Sequence, residues 1–184
     1  MSAYINGKKI VTDDMIGGQY YRGGENLLPG TAFKSLEDLS DKGWDFSRKE
    51  HISITNHNSI ILDALNNTNT YVDIKFPVAF DSAYNYIFSL QMLFMLGKSD
   101  GAKIFLVEQK KDGSNCSNYQ DHQQTLNNNY NRKNNVFSFK PINIDSYQAS
   151  LVIRANPGTK FEFSTPKFEM GELPTIWTPS PKDF

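Results

Sequence analysis

Between Tyr84 and Met95 the side chains alternate. Tyr84, Tyr86, Phe88, Leu90, Met92 and Phe94 share one parity, and Asn85, Ile87, Ser89, Gln91, Leu93 and Met95 share the other. A strand turns successive side chains to opposite faces, so this pattern predicts one buried and one more polar face. A helix of 3.6-residue period would turn Gln91 away from Asn85 and Ser89, so it would not keep the three on one face. The same two-residue period recurs down the chain. Val72, Ile74 and Phe76 oppose Tyr71, Asp73 and Lys75, and Phe137 and Phe139 alternate with Ser138 and Lys140. Ala149, Leu151 and Ile153 oppose Gln148, Ser150 and Arg154, and Phe161 and Phe163 oppose Lys160 and Glu162. Ala102–Gln109 is β-prone and apolar on both faces, and Lys167–Met170 forms a last block before Gly171. Shorter blocks at Trp44–Phe46, His51–Ile54 and Ser59–Leu62 bring the total to about ten strands.

Only Thr31–Asp41 carries helical punctuation, with Ser35 followed by Asp38 and a stop at Lys42-Gly43. Many strands, frequent turn residues and no alternating helices predict an all-β fold, an antiparallel sandwich. Trp44, at the start of a strand after Gly43, is expected in the core. Residues 1–25 read as a short N-terminal arm for attachment or oligomerisation. In it Ala3–Ile10 is hairpin-like around Asn6-Gly7, and Gly17-Gly18 and Gly23-Gly24 suggest a joint. Residues 26–184 then form the sandwich with an extended C-terminal tail.

The charge balance limits the partners. With 19 basic and 20 acidic residues the net charge is -1, without the basic excess that phosphate backbones require, so no nucleic-acid partner is expected. The apolar stretch Tyr84–Leu96 is too short and too polar to span a bilayer, so no membrane partner is expected either. The N-terminal residues lack the apolar run of an export signal, which predicts synthesis in the cytoplasm. The lone Cys116 sits in a polar run and reads as a bystander surface thiol.

Chemistry is sparse. His51, His57 and His122 show no metal-ligand spacing, and no nucleophile elbow or phosphate-binding glycine loop occurs. No catalytic residue and no metal ligand is therefore assigned, and the chain is read as a non-enzyme without a cofactor. A glycan hydrolase would need a facing carboxylate pair, for which Asp73, Asp81, Glu108, Asp121, Asp145 and Glu162 are the available groups.

Recognition is better supported. Aromatics make up 13% of the chain, which also holds 18 asparagines. Rings that stack on sugars and amide, carboxylate or guanidinium groups that read hydroxyls are the ingredients of a glycan site. The polar run Asp112–Asn135 exceeds the usual loop length and is a candidate binding loop. From it come Tyr119 and Tyr130 as stacking rings and His122 as a hydroxyl reader. Gln91, Asp73 and Arg154 join as outer-face readers if their strands are neighbours, with Tyr71 beside them.

Two stretches carry a resemblance. Asn26-Leu27-Leu28-Pro29 with Phe33 and Gly43-Trp44 resembles the opening of carbohydrate-binding-module-like jelly rolls. The close, Lys167-Phe168-Glu169-Met170-Gly171 and then Thr175-Ile176-Trp177-Thr178-Pro179-Ser180-Pro181, resembles the ending of such domains in phage and prophage tail proteins of Gram-positive bacteria. The resemblance implies a jelly-roll-like sandwich in a baseplate, tail-fibre or distal tail protein. It implies non-catalytic binding to host cell-wall polysaccharide, contact with other tail proteins and a place in the virion tail, while the hairpin and glycines of the arm add the expectation of a homo-oligomer. Purely structural service in the tail is the alternative, and a cell-wall hydrolase the third reading. Many members of the family follow the opening Phe with a Glu that helps to hold a structural calcium. Lys34 stands at that place here, against such a site.

Overall fold

A computed structural model describes residues 3–5, 8–11, 13–16, 19–22, 25–66, 70–97, 100–118, 120–126, 130–180 and Asp183. The first strands form two antiparallel pairs: β1 (Ala3–Ile5) with β2 (Lys8–Val11), and β3 (Asp13–Ile16) with β4 (Gln19–Arg22). The strands flanking the expected Asn6-Gly7 turn pair with each other, Ile5 opposite Lys8, and the turn residues themselves lie outside the described residues. Gly17-Gly18 and Gly23-Gly24, expected as a joint, lie outside the described residues.

Ten strands follow: β5 (Asp45–Ser47), β6 (Ile52–Ile54), β7 (Ser59–Asp63), β8 (Val72–Ala79), β9 (Tyr86–Leu96), β10 (Ala102–Gln109), β11 (Gln124–Thr125), β12 (Lys133–Phe139), β13 (Gln148–Ala155) and β14 (Lys160–Met170). They form two five-stranded antiparallel sheets, ordered β11-β10-β13-β8-β5 and β12-β9-β14-β7-β6. The chain is an all-β sandwich. The single α-helix among the described residues, α1 (Leu36–Asp41), begins where Ser35 accepts a hydrogen bond from the Asp38 amide at 3.1 Å and seats Leu39 in the core. Gly30, at φ +80°, lies under this turn, and a Cβ there would meet Leu39 Cδ2 at 2.7 Å.

The core between the sheets is rich in aromatic rings set among aliphatic side chains. Trp44 packs on Phe76 with ring centroids 4.6 Å apart and donates its indole N–H to the Pro29 carbonyl at 2.7 Å. It is a core residue, as expected. Phe33, Phe88, Phe161, Phe163 and Phe168 are also buried, and each such side chain contributes roughly 1.5–3 kcal/mol by leaving water.

β14 holds the most constrained sequence. It lies between β9 and β7, and Phe161, Phe163, Phe168 and Met170 must all reach one core. The first pair is odd and the second even, so strict alternation cannot seat both. A bulge resolves the conflict: Ser164 pairs with Gln91 but Lys167 pairs with Ser89, placing three steps against two. Thr165 takes φ 50° at this point, a strained conformation for a β-branched residue. Pro166, which has no N–H to offer a ladder, follows it.

The bulge turns Lys167 and Glu169 to the outer face of their sheet, yet both are fully buried. The tail covers them. Lys167 Nζ lies 3.3 Å from Glu169 Oε2 and donates to Thr175 Oγ1 at 2.5 Å and to the Ile176 carbonyl at 2.7 Å. Glu169 accepts from the Thr175 amide at 2.8 Å and its hydroxyl at 2.6 Å. Asn26 joins the chain opening to the same structure, donating to the Pro166 and Thr178 carbonyls and accepting from the Phe168 amide. Farther on, Asp183 accepts from Gly30 N, from Thr31 Oγ1 at 2.8 Å and from Ser180 N at 3.2 Å.

Removing one charge of a buried pair leaves the other uncompensated, whereas replacing both can be nearly neutral. Lys167→Ala is expected to cost about 3–5 kcal/mol in urea unfolding. The double change Lys167→Met with Glu169→Leu should recover most of that loss. Equal destabilisation by the two would refute the ion-pair account.

Candidate functional site

The outer face of the β11-β10-β13-β8-β5 sheet carries a continuous polar row. Thr125, Lys103, Arg154, Asp73 and Ser47 stand on five successive strands as direct cross-strand neighbours. Arg154 binds Asp73 with two parallel bonds, Nε to Oδ1 and Nη2 to Oδ2, each 2.7 Å. Its guanidinium carbon lies 3.5 Å from the centroid of the Tyr71 ring and 4.8 Å from that of Phe105. Bidentate pairing and stacking both suit the planar guanidinium and fix its orientation. Asp73 is 1% exposed and its amide donates to Ser47 Oγ at 2.8 Å, whereas Tyr71 keeps 47% of its surface open.

These groups line an open groove of about 430 Å³, with Lys75 and Lys103 from the sheet and Gln120 and Gln123 from the segment before β11. Small-molecule sites commonly occupy about 300–1,000 Å³. The groove offers an exposed ring, a held guanidinium, three amide side chains (Gln120, Gln123 and Asn156) and two ammonium groups. Such a set can stack on a flat apolar face and exchange hydrogen bonds with hydroxyls.

Of the six residues expected to form a site, Asp73 and Arg154 meet here with Tyr71. Gln91 does not join them. It lies on β9 in the other sheet, paired with Asn134 and Ser164. Tyr130 is 66% exposed and packs edge-on against Phe94 with centroids 5.5 Å apart. Tyr119 lies outside the described residues.

His122 is turned inward, contrary to its expected role as an open hydroxyl reader. It is buried, its ring packs edge-on against Phe80 and Phe139, and Nε2 lies 2.6 Å from Glu108 Oε1. Glu108 closes the end of the core-facing row of β10. It also accepts from the amides of Ile142 at 2.7 Å and Asn143 at 3.0 Å, from Asn143 Nδ2 at 3.1 Å, and from the Ser146 hydroxyl. Its own amide donates to Ser117 Oγ at 2.7 Å. One carboxylate thus ties two connections to the sandwich. The polar run is also shorter as a loop than expected, since Gln124–Thr125 form β11 and Lys133–Asn135 begin β12.

Three of the six carboxylates considered for hydrolysis are engaged in holding the fold. Both Asp73 oxygens bind Arg154, Glu108 holds its connections, and Glu162 accepts from Ser59 and Arg132, each at 2.5 Å. Among the described residues, no three His, Cys, Asp or Glu side chains group as metal ligands. The opening segment does not fit a calcium ion. Lys34 is exposed, and the carboxylate at the junction with the tail, Asp183, is surrounded by donors, with Lys42 Nζ at 3.8 Å.

Neither a protein-family model nor a curated protein sequence matches this chain. Solved structures do. The C-terminal family 22 carbohydrate-binding module of Clostridium thermocellum Xyn10B is 14% identical, with a TM-score of 0.52 over 80% of this chain and 95% of that one. The fold is that of the carbohydrate-binding modules. The α-L-arabinofuranosidase MgGH51 is 14% identical, with a TM-score of 0.54 over 82% of this chain. The enzymatically active domain of bacteriophage CBA120 tailspike protein 4 is 7% identical, with a TM-score of 0.55 over 79%. This chain spans only 27% of the arabinofuranosidase and 21% of the tailspike domain.

Sequence reading placed Asp73, Arg154 and Tyr71 on outward parities but missed Lys103 and Phe105, because β10 is apolar on both faces. The signal that could have found Lys103 is its parity opposite Ala102 and Ile104.

Burial pushes the Glu108 carboxyl up, but the bonds from His122, Ser146, Ile142 and Asn143 outweigh it and hold the group at about 2, against an ordinary 4.5. A depressed carboxylate stabilises the fold above its unfolded value, and that contribution drains away as pH falls toward the folded value. Stability should therefore fall between pH 4.5 and about 2. Glu108→Gln should lower stability at neutral pH and flatten this acid limb in denaturant titrations. An unchanged limb would assign the acid sensitivity to other groups.

Proposed function

We propose that this chain binds glycan without transforming it, at the groove built around Tyr71, Arg154 and Asp73. The observation that carries the reading is the exposed Tyr71 ring stacked on a guanidinium that Asp73 holds in place, on the open face of a sandwich with the carbohydrate-binding-module fold. Tyr71 would meet the apolar face of a sugar ring. Arg154, Lys103, Gln120 and Gln123 would read hydroxyls around it.

The finer reading is a receptor-binding or accessory module of a phage or prophage tail, directed at cell-wall polysaccharide. The Lys167–Gly171 and Thr175–Pro181 pattern supports it, as does the likeness to a tailspike domain. In this reading residues 1–25 attach the module to other tail proteins or to further copies of itself. Several copies on one particle would turn weak single sites into firm attachment, because each bound site raises the effective concentration of the next.

Isothermal titration with purified Gram-positive cell-wall polysaccharide and with xylohexaose tests the site. Tyr71→Ala, at a half-open position, should weaken binding about tenfold, equivalent to 1.4 kcal/mol, with an unchanged melting temperature. Parent-like binding by that variant would remove the groove from the reading. Light scattering of the intact chain should show a homo-oligomer, and a monomer at high concentration would count against the role of the arm.

A further inference from the structure

The outer face of the other sheet carries features that the groove at Tyr71 does not use. Two depressions of about 500 and 530 Å³ adjoin there, and both are lined by Gln91, Thr165 and Trp177. The bulge in β14 creates this arrangement. It presents the Pro166 carbonyl, which accepts from the Trp177 indole N–H at 3.1 Å and from Asn26 Nδ2 at 3.0 Å. The half-buried indole is thereby anchored as a wall shared by both depressions.

On the floor, Gln91 of β9 and Asn134 of β12 are direct cross-strand neighbours. Among the described residues their side-chain amides have no hydrogen-bond partner. Each amide offers donors and an acceptor at once, the set that a pair of sugar hydroxyls answers. The nearby cation is already neutralised, since Arg132 binds Glu162 and Ser164. An anion would find little net charge here.

We infer that this face is a second glycan site, taking a neutral oligosaccharide laid along the Trp177 wall with its hydroxyls on Gln91 and Asn134. The inference rests on the reading of the chain as a glycan binder, but it engages the opposite sheet. A single chain would then carry two sites on different sheets and could bridge two polysaccharide strands.

The two tryptophans make the test selective. Trp44 is 3% exposed in the core, whereas Trp177 lines the proposed site, so a ligand-induced emission change reports on Trp177. The intact chain is titrated with xylo-, cello-, galacto- and N-acetylchito-hexaose and with neutral cell-wall polysaccharide, by fluorescence and calorimetry in parallel. The expected result is two sites per chain. Tyr71→Ala should weaken one about tenfold and keep the emission change. Gln91→Ala with Asn134→Ala should weaken the emission-linked site at least tenfold and keep the other, with melting temperatures confirming both folds.

Calorimetric binding at one site, weakened by Tyr71→Ala with flat emission throughout, would overturn the second site and leave the first. One site sensitive only to the Gln91 and Asn134 changes would do the reverse. No binding by any probe would overturn both.

Discussion

The central strand β14 has to serve one core with two pairs of apolar residues of opposite parity. Much of the molecule follows from how that conflict is relieved. The bulge at Thr165-Pro166 brings Phe168 and Met170 back to the core. Its cost is a β-branched residue at positive φ and two ionisable side chains on a face that would otherwise meet water. The C-terminal tail then covers Lys167 and Glu169, which satisfy one another and the tail backbone. Asn26 uses the carbonyl exposed at the bulge and the tail to close the opening of the chain onto its end. Asn26 at the opening and Lys167, Glu169, Thr175 and Thr178 at the close, all among the residues that carried the family resemblance, are in three dimensions parts of one clasp.

A similar economy governs the carboxylates. Buried charges persist only where donors compensate them. Asp73 is held by Arg154, Glu108 by His122 and four further bonds, and Glu162 by Arg132 and Ser59. Side chains that a sequence offers equally to catalysis are here the fasteners of strands and connections. In the proposed glycan reading, recognition falls to the surface ring of Tyr71, to amide side chains and to the cations Arg154 and Lys103.

Much of this was legible before any coordinates. The parity of Val72, Ile74 and Phe76, or of Leu151 and Ile153, placed them in the core, and Ser35 announced its helix. Asp73 and Arg154 were correctly set on outward faces. Their meeting was conditional on strand order, and the same condition failed for Gln91, which is equally outward but belongs to the other sheet. His122 misled because a polar run looks solvated in sequence, while a single buried carboxylate at Glu108 supplied the partner that draws a histidine inside.

The sequence by itself determined the two-residue alternation, and with it the all-β class and the residues each strand turns inward, because these depend on the geometry of neighbouring residues. Only the tertiary structure decided which outward residues share a surface. Arg154 and Asp73 lie 81 positions apart and meet through the placement of β13 beside β8. Gln91 and Trp177 meet because a bulge and a covering tail redirect a whole segment. Strand order and tail placement are fixed by pairing and burial summed over the entire chain, and no local pattern encodes such a sum.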